Sequence, residues 1–119
     1  MDLPMELIES LLNNPFFSIA VVNQEGRYIF VNDRWQNAHN LSKHQVLGHA
    51  PEEFHPNSLF MKVLRTRKPI LGHEVILYPS MDVACCNYYP LTWSDGSQAG
   101  AAVIGFAHTI QHAEQTEFM

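Results

Sequence analysis

The sequence predicts an α+β domain in which an antiparallel sheet of about five strands carries helices on one face. Two apolar runs, residues 19–22 and 28–31, flank a turn at Gly26, which is the pattern of a β-hairpin. Residues 33–68 show helical periodicity instead, and strand-like runs return over residues 71–110. A hairpin, a helical cluster and a meander join into one sheet whose second face is free to pack elsewhere.

An amphipathic helix is predicted ahead of the sheet, over residues 1–13. Its apolar residues share one helical face, and Pro15 ends it because proline disfavours helical geometry in the residue before it. The helix either folds back on its own sheet or pairs with the same helix of a second subunit. We favour a homodimer, with these predicted dimer-interface residues: Leu3, Leu7, Ile8, Leu11 and Leu12.

Capping residues mark the first two helices after the hairpin. Either Asn32 or Asp33 is able to cap an aromatic-bearing helix over residues 33–39. Ser42 caps a second short helix over residues 42–47, which a glycine closes.

Prolines divide the rest of the helical region. A brief helical turn over residues 50–55 ends at Pro56, and a longer helix follows it, capped by Asn57 or Ser58. The pair Lys68-Pro69 ends that helix, because a residue before proline leaves the helical region of backbone space.

Three strands complete the domain. They are predicted over residues 71–78, 83–93 and 99–110, and a Ser-Asp-Gly-Ser turn at residues 94–97 joins the last two. Residues 111–119 are polar and have the character of the first turns of an exit helix.

Composition and charge narrow the classes of function. The chain has 119 residues, of which 46% are hydrophobic and 16% charged, so it forms one core and is too short for two. Its net charge of −5 gives no support to direct contact with nucleic acid, which needs clustered basic residues. No apolar run reaches the roughly 18 residues of a membrane span, and no signal peptide is recognisable. The expected location is the cytoplasm, without a membrane partner.

The order of these elements and the residues within them resemble a PAS domain. The matching pieces are Val21-Val22 with Glu25-Gly26, Val31-Asn32, Leu41-Ser42 with Val46-Leu47-Gly48, and residues 92–96 before the last strand. The resemblance implies a PAS-like fold, with a sensor domain over residues 14–110 between the N-terminal helix and a linker that starts at residue 111.

A second set of residues resembles the PAS domains that precede the ATPase of bacterial sigma-54-dependent transcription activators. This set comprises His55-Pro56-Asn57-Ser58-Leu59, Val63-Leu64, Lys68-Pro69, Gly72 and Asn87-Tyr88-Tyr89-Pro90-Leu91. The resemblance implies signal transduction to an ATPase and a DNA-binding domain beyond Met119.

The sequence departs from common PAS patterns in two places. Many PAS domains end in Asp-Ile-Thr, where this chain has His108-Thr109-Ile110, so the tether to the exit helix is altered. The light-sensing flavin branch has a reactive cysteine among its helices, and the helical region here contains none. A flavin photoadduct is therefore not expected.

A small ligand is expected between the helices and the sheet, where a few polar groups in an apolar concavity fix its orientation. The ligand-pocket candidates are Trp35, His49, Phe54, His55, Leu59, Val63, Cys85, Asn87 and Tyr89. Strand alternation places Cys85, Asn87 and Tyr89 together on one face of their strand, with Cys86 and Tyr88 on the other.

Histidines and cysteines could have a chemical role here, but we favour a structural role for both. His49 or His55 could serve as an axial haem ligand, but exposed polar side chains on short helices are the favoured reading. Cys85 and Cys86 are adjacent and unsuited to a disulfide, and they fit small buried hydrophobes better than a redox pair. No cofactor is identified, and no metal site is expected.

The sequence contains no phosphate loop, Ser–His–Asp pattern or paired carboxylates, so this segment is not expected to be an enzyme. The preferred hypothesis is a signal-sensing domain of a transcriptional regulator. Two alternatives are a PAS module of a sensor histidine kinase and a ligand-free dimerisation or interaction domain.

Overall fold

Five antiparallel strands form one sheet in this computed structural model, which describes residues 3–77 and 81–108. The strands are β1 (Ser18–Asn23), β2 (Tyr28–Val31), β3 (Ile70–Leu77), β4 (Asp82–Thr92) and β5 (Gln98–His108). Their order across the sheet is β2-β1-β5-β4-β3, so the last of the described strands occupies the centre. The predicted α+β class with five strands is confirmed, and the observed strands begin and end within a residue or two of the predicted positions. The predicted ends of β3 at residue 78 and of β5 at residue 110, and the exit helix from residue 111, lie outside the described residues.

The helices occupy the predicted places but are short. They are α1 (Met5–Leu12), α2 (Asp33–His39), α3 (Lys43–Val46), a 3₁₀ turn (Pro51–Glu53) and α4 (Phe60–Thr66). No helix within residues 3–77 and 81–108 is long and apolar enough to cross a membrane.

The cap of α3 forms as predicted, and that of α4 forms in part. Ser42 and Gln45 make a reciprocal capping box: the Ser42 hydroxyl accepts from the Gln45 amide and the Gln45 side chain accepts from the Ser42 amide. Helix α4 was expected to be capped by Asn57 or Ser58; Leu59 stands at its N-cap position without a side-chain cap, while the Ser58 hydroxyl accepts from the Phe60 amide, the first of the helix, at 3.4 Å. A backbone turn from Ser58 N to His55 O precedes the helix.

The side chain of Asn32 bonds four backbone groups in three segments of the chain. Its side-chain oxygen accepts from Ile19 N at 3.0 Å and from Trp35 N at 2.9 Å, and the second of these bonds caps α2. Its side-chain nitrogen donates to Leu12 O at 2.7 Å and to Phe17 O at 2.9 Å. A single buried amide therefore ties the end of α1 and the start of β1 to α2.

The core lies between the helices and one face of the sheet. Four of its aromatic rings pack edge to face in sequence: Trp35 on Tyr28, Tyr28 on Phe60 and Phe60 on Tyr88, with centroid separations of 5.4, 6.1 and 5.1 Å. Small residues of β1 and β5 complete it, and Ala20, Val22 and Ala101 are fully buried there. The core is therefore one-sided, and the other face of the sheet carries half-exposed residues such as Phe106.

Candidate functional site

A cavity of about 640 Å³ opens on the helical side of the sheet, between α2 and the ends of β3, β4 and β5. We call it the α2 cavity. Its floor is made of small and aliphatic side chains of the sheet: Val75, Leu77, Ala84, Cys86 and Gly105. Its rim is polar and includes Asn13, Asn14, Asp33, Arg34, Asn37, Asn40 and Asp82. The volume lies in the range that binds small organic molecules, and an apolar floor with polar groups at the edge suits such a ligand.

Small residues keep the floor of the α2 cavity low. A Cβ atom placed on Gly105 would lie 2.7 Å from Ser18 Oγ and 3.4 Å from Cys86 Sγ, so no larger residue fits there without a shift. Ala84 stands on β4, two residues before Cys86, and lines the same floor. The register of β4 and β5 pairs Cys86 with Gly105 directly, which brings these small side chains together.

Arg34 is the cationic side chain of the rim. It is half-buried on α2, yet it makes no hydrogen bond or ion pair with any residue that the structure describes. The carboxylate of the preceding residue, Asp33, is engaged instead by Gln36 Nε2 at 3.5 Å. A guanidinium at a cavity mouth whose donors bond no described residue can bind an acceptor group of a ligand.

Two histidines and a tryptophan pack together where α2 meets the 3₁₀ turn. The rings of His39 and His55 lie 4.6 Å apart between centroids, and Trp35 contacts them at 4.5 Å and 6.1 Å. His39 also lines the α2 cavity, and burial together with its neighbour His55 lowers the pKa of His39 from 6.5 to about 4. Burial lowers the pKa of His55 too. Both imidazoles are therefore neutral at pH 7.

None of the nine ligand-pocket candidates lines the α2 cavity. Trp35 and Val63 are buried in the core, and Phe54 and Leu59 pack against it from the helical side. His55 joins Trp35 and His39. These five lie together in the helical layer beside the cavity rather than in its walls, and a ligand-binding role for them stays a prediction.

The other four candidates lie on the surface or on the far side of the sheet. His49 is exposed and its Nδ1 lies 3.3 Å from a Glu53 carboxylate oxygen. The predicted alternation of β4 is present, but its inward face is the one that carries Cys86 and Tyr88, which pack against the core. Cys85, Asn87 and Tyr89 therefore point away from the helices, which corrects their expected placement towards a pocket.

Asn87 has a structural partner on this outer face. Its side-chain oxygen accepts from Gly72 N at 2.9 Å, where β3 bulges and Gly72 has a φ of 69°. A bulge leaves a ladder amide without a strand partner, and Asn87 supplies one.

Sequence reasoning missed His39, Arg34 and Cys86 as cavity residues. The sequence correctly places Arg34 and His39 on a helix over residues 33–39, but no local pattern shows which side of a seven-residue helix faces an empty space. Burial, with the neighbouring Cys85 as a second cause, raises the pKa of Cys86 to about 11, so its thiol is protonated at pH 7. This agrees with the reading of Cys86 as a small hydrophobe.

Within the described part of the chain, no three His, Cys, Asp or Glu side chains are grouped to hold a metal ion.

The sheet order, the helices on one face and the cavity between these layers define the chain as a two-layer α+β domain. It belongs to the PAS family: the sequence matches the family described as the PAS fold over residues 17–114. Comparison with curated protein sequences gives no match.

Solved PAS domains of signalling proteins have the same fold. The PAS domain of BvgS from Bordetella pertussis superposes with a TM-score of 0.68 at 22% identity, covering 96% of this chain and 93% of that one. A sensory box sensor histidine kinase from Vibrio cholerae gives 0.65 at 16% identity, with coverages of 90% and 93%. VqmA from Vibrio cholerae, solved with a ligand and DNA, gives 0.72 at 14% identity, and the chain spans 59% of it. At these identities the likeness shows the fold alone.

Proposed function

We propose that this chain is the sensory module of a bacterial signalling protein and that a small molecule bound in the α2 cavity is its signal. The observation that carries the proposal is the cavity itself, with its apolar floor of small residues and its rim of polar groups. Binding acts on an equilibrium between two states of the domain, and the ligand matters through its different affinity for the two. The segment has no catalytic role in this proposal.

The α2 cavity touches several elements whose relative positions a ligand can change. Its walls join α2 to β3, β4 and β5, and β5 is the last strand before residue 109. A ligand that contacts both layers favours the state in which they fit it best. The position of β5 then carries the signal to whatever follows it in the chain.

Mass spectrometry of the small molecules released on denaturation tests this proposal. Ala84→Leu places a larger side chain on the cavity floor, whereas Cys85→Leu places the same side chain on the opposite face of the same strand. We expect a compound at about one equivalent from the parent protein and from Cys85→Leu, and none from Ala84→Leu. If the parent protein releases no compound, or if Ala84→Leu releases the same compound, the ligand hypothesis is wrong, and a ligand-free interaction module is favoured instead.

We also propose that α1 forms a homodimer with the same helix of a second subunit. None of its residues is buried; Leu7 and Leu11 are 52% and 65% exposed, and Leu3, just before the helix, is 42% exposed. Ile8 and Leu12 are half-buried, so they face the domain while the other three leucines face outward. Unpartnered leucines on one helical face are typical of an interface.

Sedimentation velocity tests the dimer. Leu7→Glu and Leu11→Glu should shift the protein to monomer, because each buries a charge at the interface. Leu71→Glu is the matched control, since Leu71 is an exposed leucine on the edge strand β3. A parent protein that sediments as a monomer over a wide concentration range would contradict the proposal.

The attached output is proposed to be a sigma-54-type ATPase with a DNA-binding domain. The resemblance of residues 55–59 and 87–91 to that group of regulators supports it. The alternative is a histidine kinase, which the shared fold with a sensor kinase favours. The full reading frame of the gene discriminates between them: a Walker A motif after this segment supports the activator, and a phosphoacceptor histidine with a kinase ATP-binding domain supports the kinase.

A further inference from the structure

The contact between α2 and the 3₁₀ turn consists of a histidine pair on a tryptophan. His39 ends α2, and His55 follows the 3₁₀ turn by two residues. Their rings are 4.6 Å apart, and Trp35 lies beneath both. The His55 Nε2 atom is buried and has no hydrogen-bond partner among the described residues. Two imidazoles this close, one of them with a desolvated nitrogen, tolerate the neutral state and repel each other when both are protonated.

We propose that His39 and His55 form an acid-sensitive latch, which holds α2 against residues 51–55 in its neutral state and releases it on protonation. Because His39 also lines the α2 cavity, release of the latch moves one wall of that cavity. The inference does not require that a ligand occupies the cavity, so it stands or falls separately from the proposed function.

Within residues 3–77 and 81–108, no carboxylate on the elements around the pair forms an ion pair with either imidazole, although Asp82 of β4 lines the α2 cavity together with His39. On α2, Asp33 bonds to Gln36 at the other end of the helix and Arg34 is itself a cation. On the 3₁₀ turn, Glu53 accepts from the Ala50 amide and contacts His49.

Four further titratable groups lie near the pair: Tyr28, Glu52, Cys86 and Tyr88. Glu52, on the same turn, is close enough to Tyr28 to raise its pKa, after the larger effects of burial and of Tyr88. On the sheet, burial raises the pKa of both Cys86 and Tyr88, so these groups are neutral at pH 7. Of the carboxylates of Asp33, Glu52 and Glu53, only that of Glu52 has a buried oxygen, Oε1, without a hydrogen-bond partner among the described residues. Glu52 makes no hydrogen bond to either imidazole.

The direction of the pH dependence follows from the two states. In the released state the His39 imidazole titrates near its ordinary pKa of 6.5, and in the latched state near 4. The released state therefore binds more protons between these pH values. The latch is fully favoured above about pH 6.5 and weakens as the pH falls towards 4. The difference of two and a half pKa units for His39 allows a change of about 300-fold in the equilibrium between the states.

The test combines tryptophan fluorescence with an NMR titration of the full chain. The protein has two tryptophans, and replacing the exposed Trp93 by phenylalanine leaves Trp35 as the only reporter. We expect its emission to shift to longer wavelength between pH 6.5 and pH 4, while far-ultraviolet circular dichroism keeps the sheet signal. In the Trp93→Phe background, His39→Phe with His55→Phe keeps two aromatic rings on Trp35 and removes both protons. This variant should abolish the transition.

Two exposed histidines provide the control. His44→Gln and His49→Gln should leave the transition of Trp35 unchanged, because neither ring contacts Trp35. The NMR titration needs no variant and should place the pKa of His39 well below 6.5. Ordinary pKa values for both His39 and His55 in the folded protein would overturn the latch. A transition that persists in the double phenylalanine variant, or that His44→Gln removes, would overturn it as well.

Discussion

Replacing Asn32 by alanine should lower the free energy of unfolding by about 3 kcal/mol, because one buried side chain makes four hydrogen bonds to four backbone groups. Loss of an N-cap asparagine costs about 1 kcal/mol. The Ile19 amide sits within β1 and would lose its side-chain acceptor, which adds about 1–2 kcal/mol for an unsatisfied buried donor. The carbonyls of Leu12 and Phe17 are nearer the surface, so water replaces their lost donor at a smaller cost.

Urea denaturation followed by circular dichroism measures this loss. With a slope of about 2 kcal/mol per molar urea, a loss of 3 kcal/mol moves the midpoint down by about 1.5 M. All variants should be compared at one protein concentration, since a dimer makes apparent stability depend on it. Asn37→Ala is the matched control, because Asn37 is an exposed asparagine on the same helix, and its effect should stay within about 0.5 kcal/mol.

A second variant separates the two halves of the Asn32 amide. Asn32→Asp keeps the oxygen that accepts from Ile19 N and Trp35 N, and it replaces the donor that faces Leu12 O and Phe17 O. We expect an intermediate loss that becomes smaller in acid, where a protonated carboxyl can donate again. A loss below about 1 kcal/mol for Asn32→Ala would show that the four bonds are replaced by water and would refute this reasoning.

Three further changes have expected outcomes. Gly26→Ala and Gly48→Ala should each cost about 1 kcal/mol, the backbone cost of a positive-φ position, because the Met61 Sδ atom that would lie 2.9 Å from the new Cβ at residue 26 belongs to an exposed, flexible side chain that can move aside. Thermal unfolding of both variants compares them, and a clearly larger loss for Gly26→Ala would contradict this. Gln98→Ala should lower the free energy of unfolding, measured by urea denaturation, by about 2 kcal/mol, because the buried side chain donates to the Leu64 carbonyl of α4 at 3.1 Å. An unchanged free energy of unfolding would mean that α4 is held to β5 by apolar packing alone. The lowered pKa of His39 makes the parent protein lose stability as the pH falls from 6.5 to 4. His39→Phe should therefore flatten the dependence of the free energy of unfolding on pH, and near pH 4 the variant should be more stable than the parent by up to about 3 kcal/mol. Parallel pH dependences for the two proteins would refute this.

Short-range chemistry explains why so much of the secondary structure follows from the sequence. The turn at Gly26, the bounds of α2 and the Ser42 capping box depend on residues within four positions of each other. The same holds for the turn at residues 94–97, where the Asp95 carboxylate accepts from the Ser97 amide at 2.9 Å. Such signals act alike in the isolated segment and in the folded domain, so they can be read in order along the chain.

The inward face of β4 illustrates what local patterns leave open. Alternation correctly separates Cys86 and Tyr88 from Cys85, Asn87 and Tyr89, but both sets mix polar and apolar groups. A strand with no clearly apolar face has no local preference for which side meets the helices. Pairing with β5 decides it, because the register sets Cys86 opposite Gly105 and turns Tyr88 towards Phe60.

The amino-acid sequence by itself determined the α+β class, the order of elements and the resemblance to the PAS family. Tertiary structure alone decided that β5 is the central strand, that Leu7 and Leu11 of α1 stay exposed and that the α2 cavity exists. The cavity is lined by residues as far apart as Asn13 and Gly105. A cavity is space that side chains from distant segments fail to fill, so its position depends on how the layers pack and not on any one stretch of sequence. The His39–His55 contact arises in the same way, from the packing of the end of α2 against the residues that follow the 3₁₀ turn, with α3 between them in the sequence.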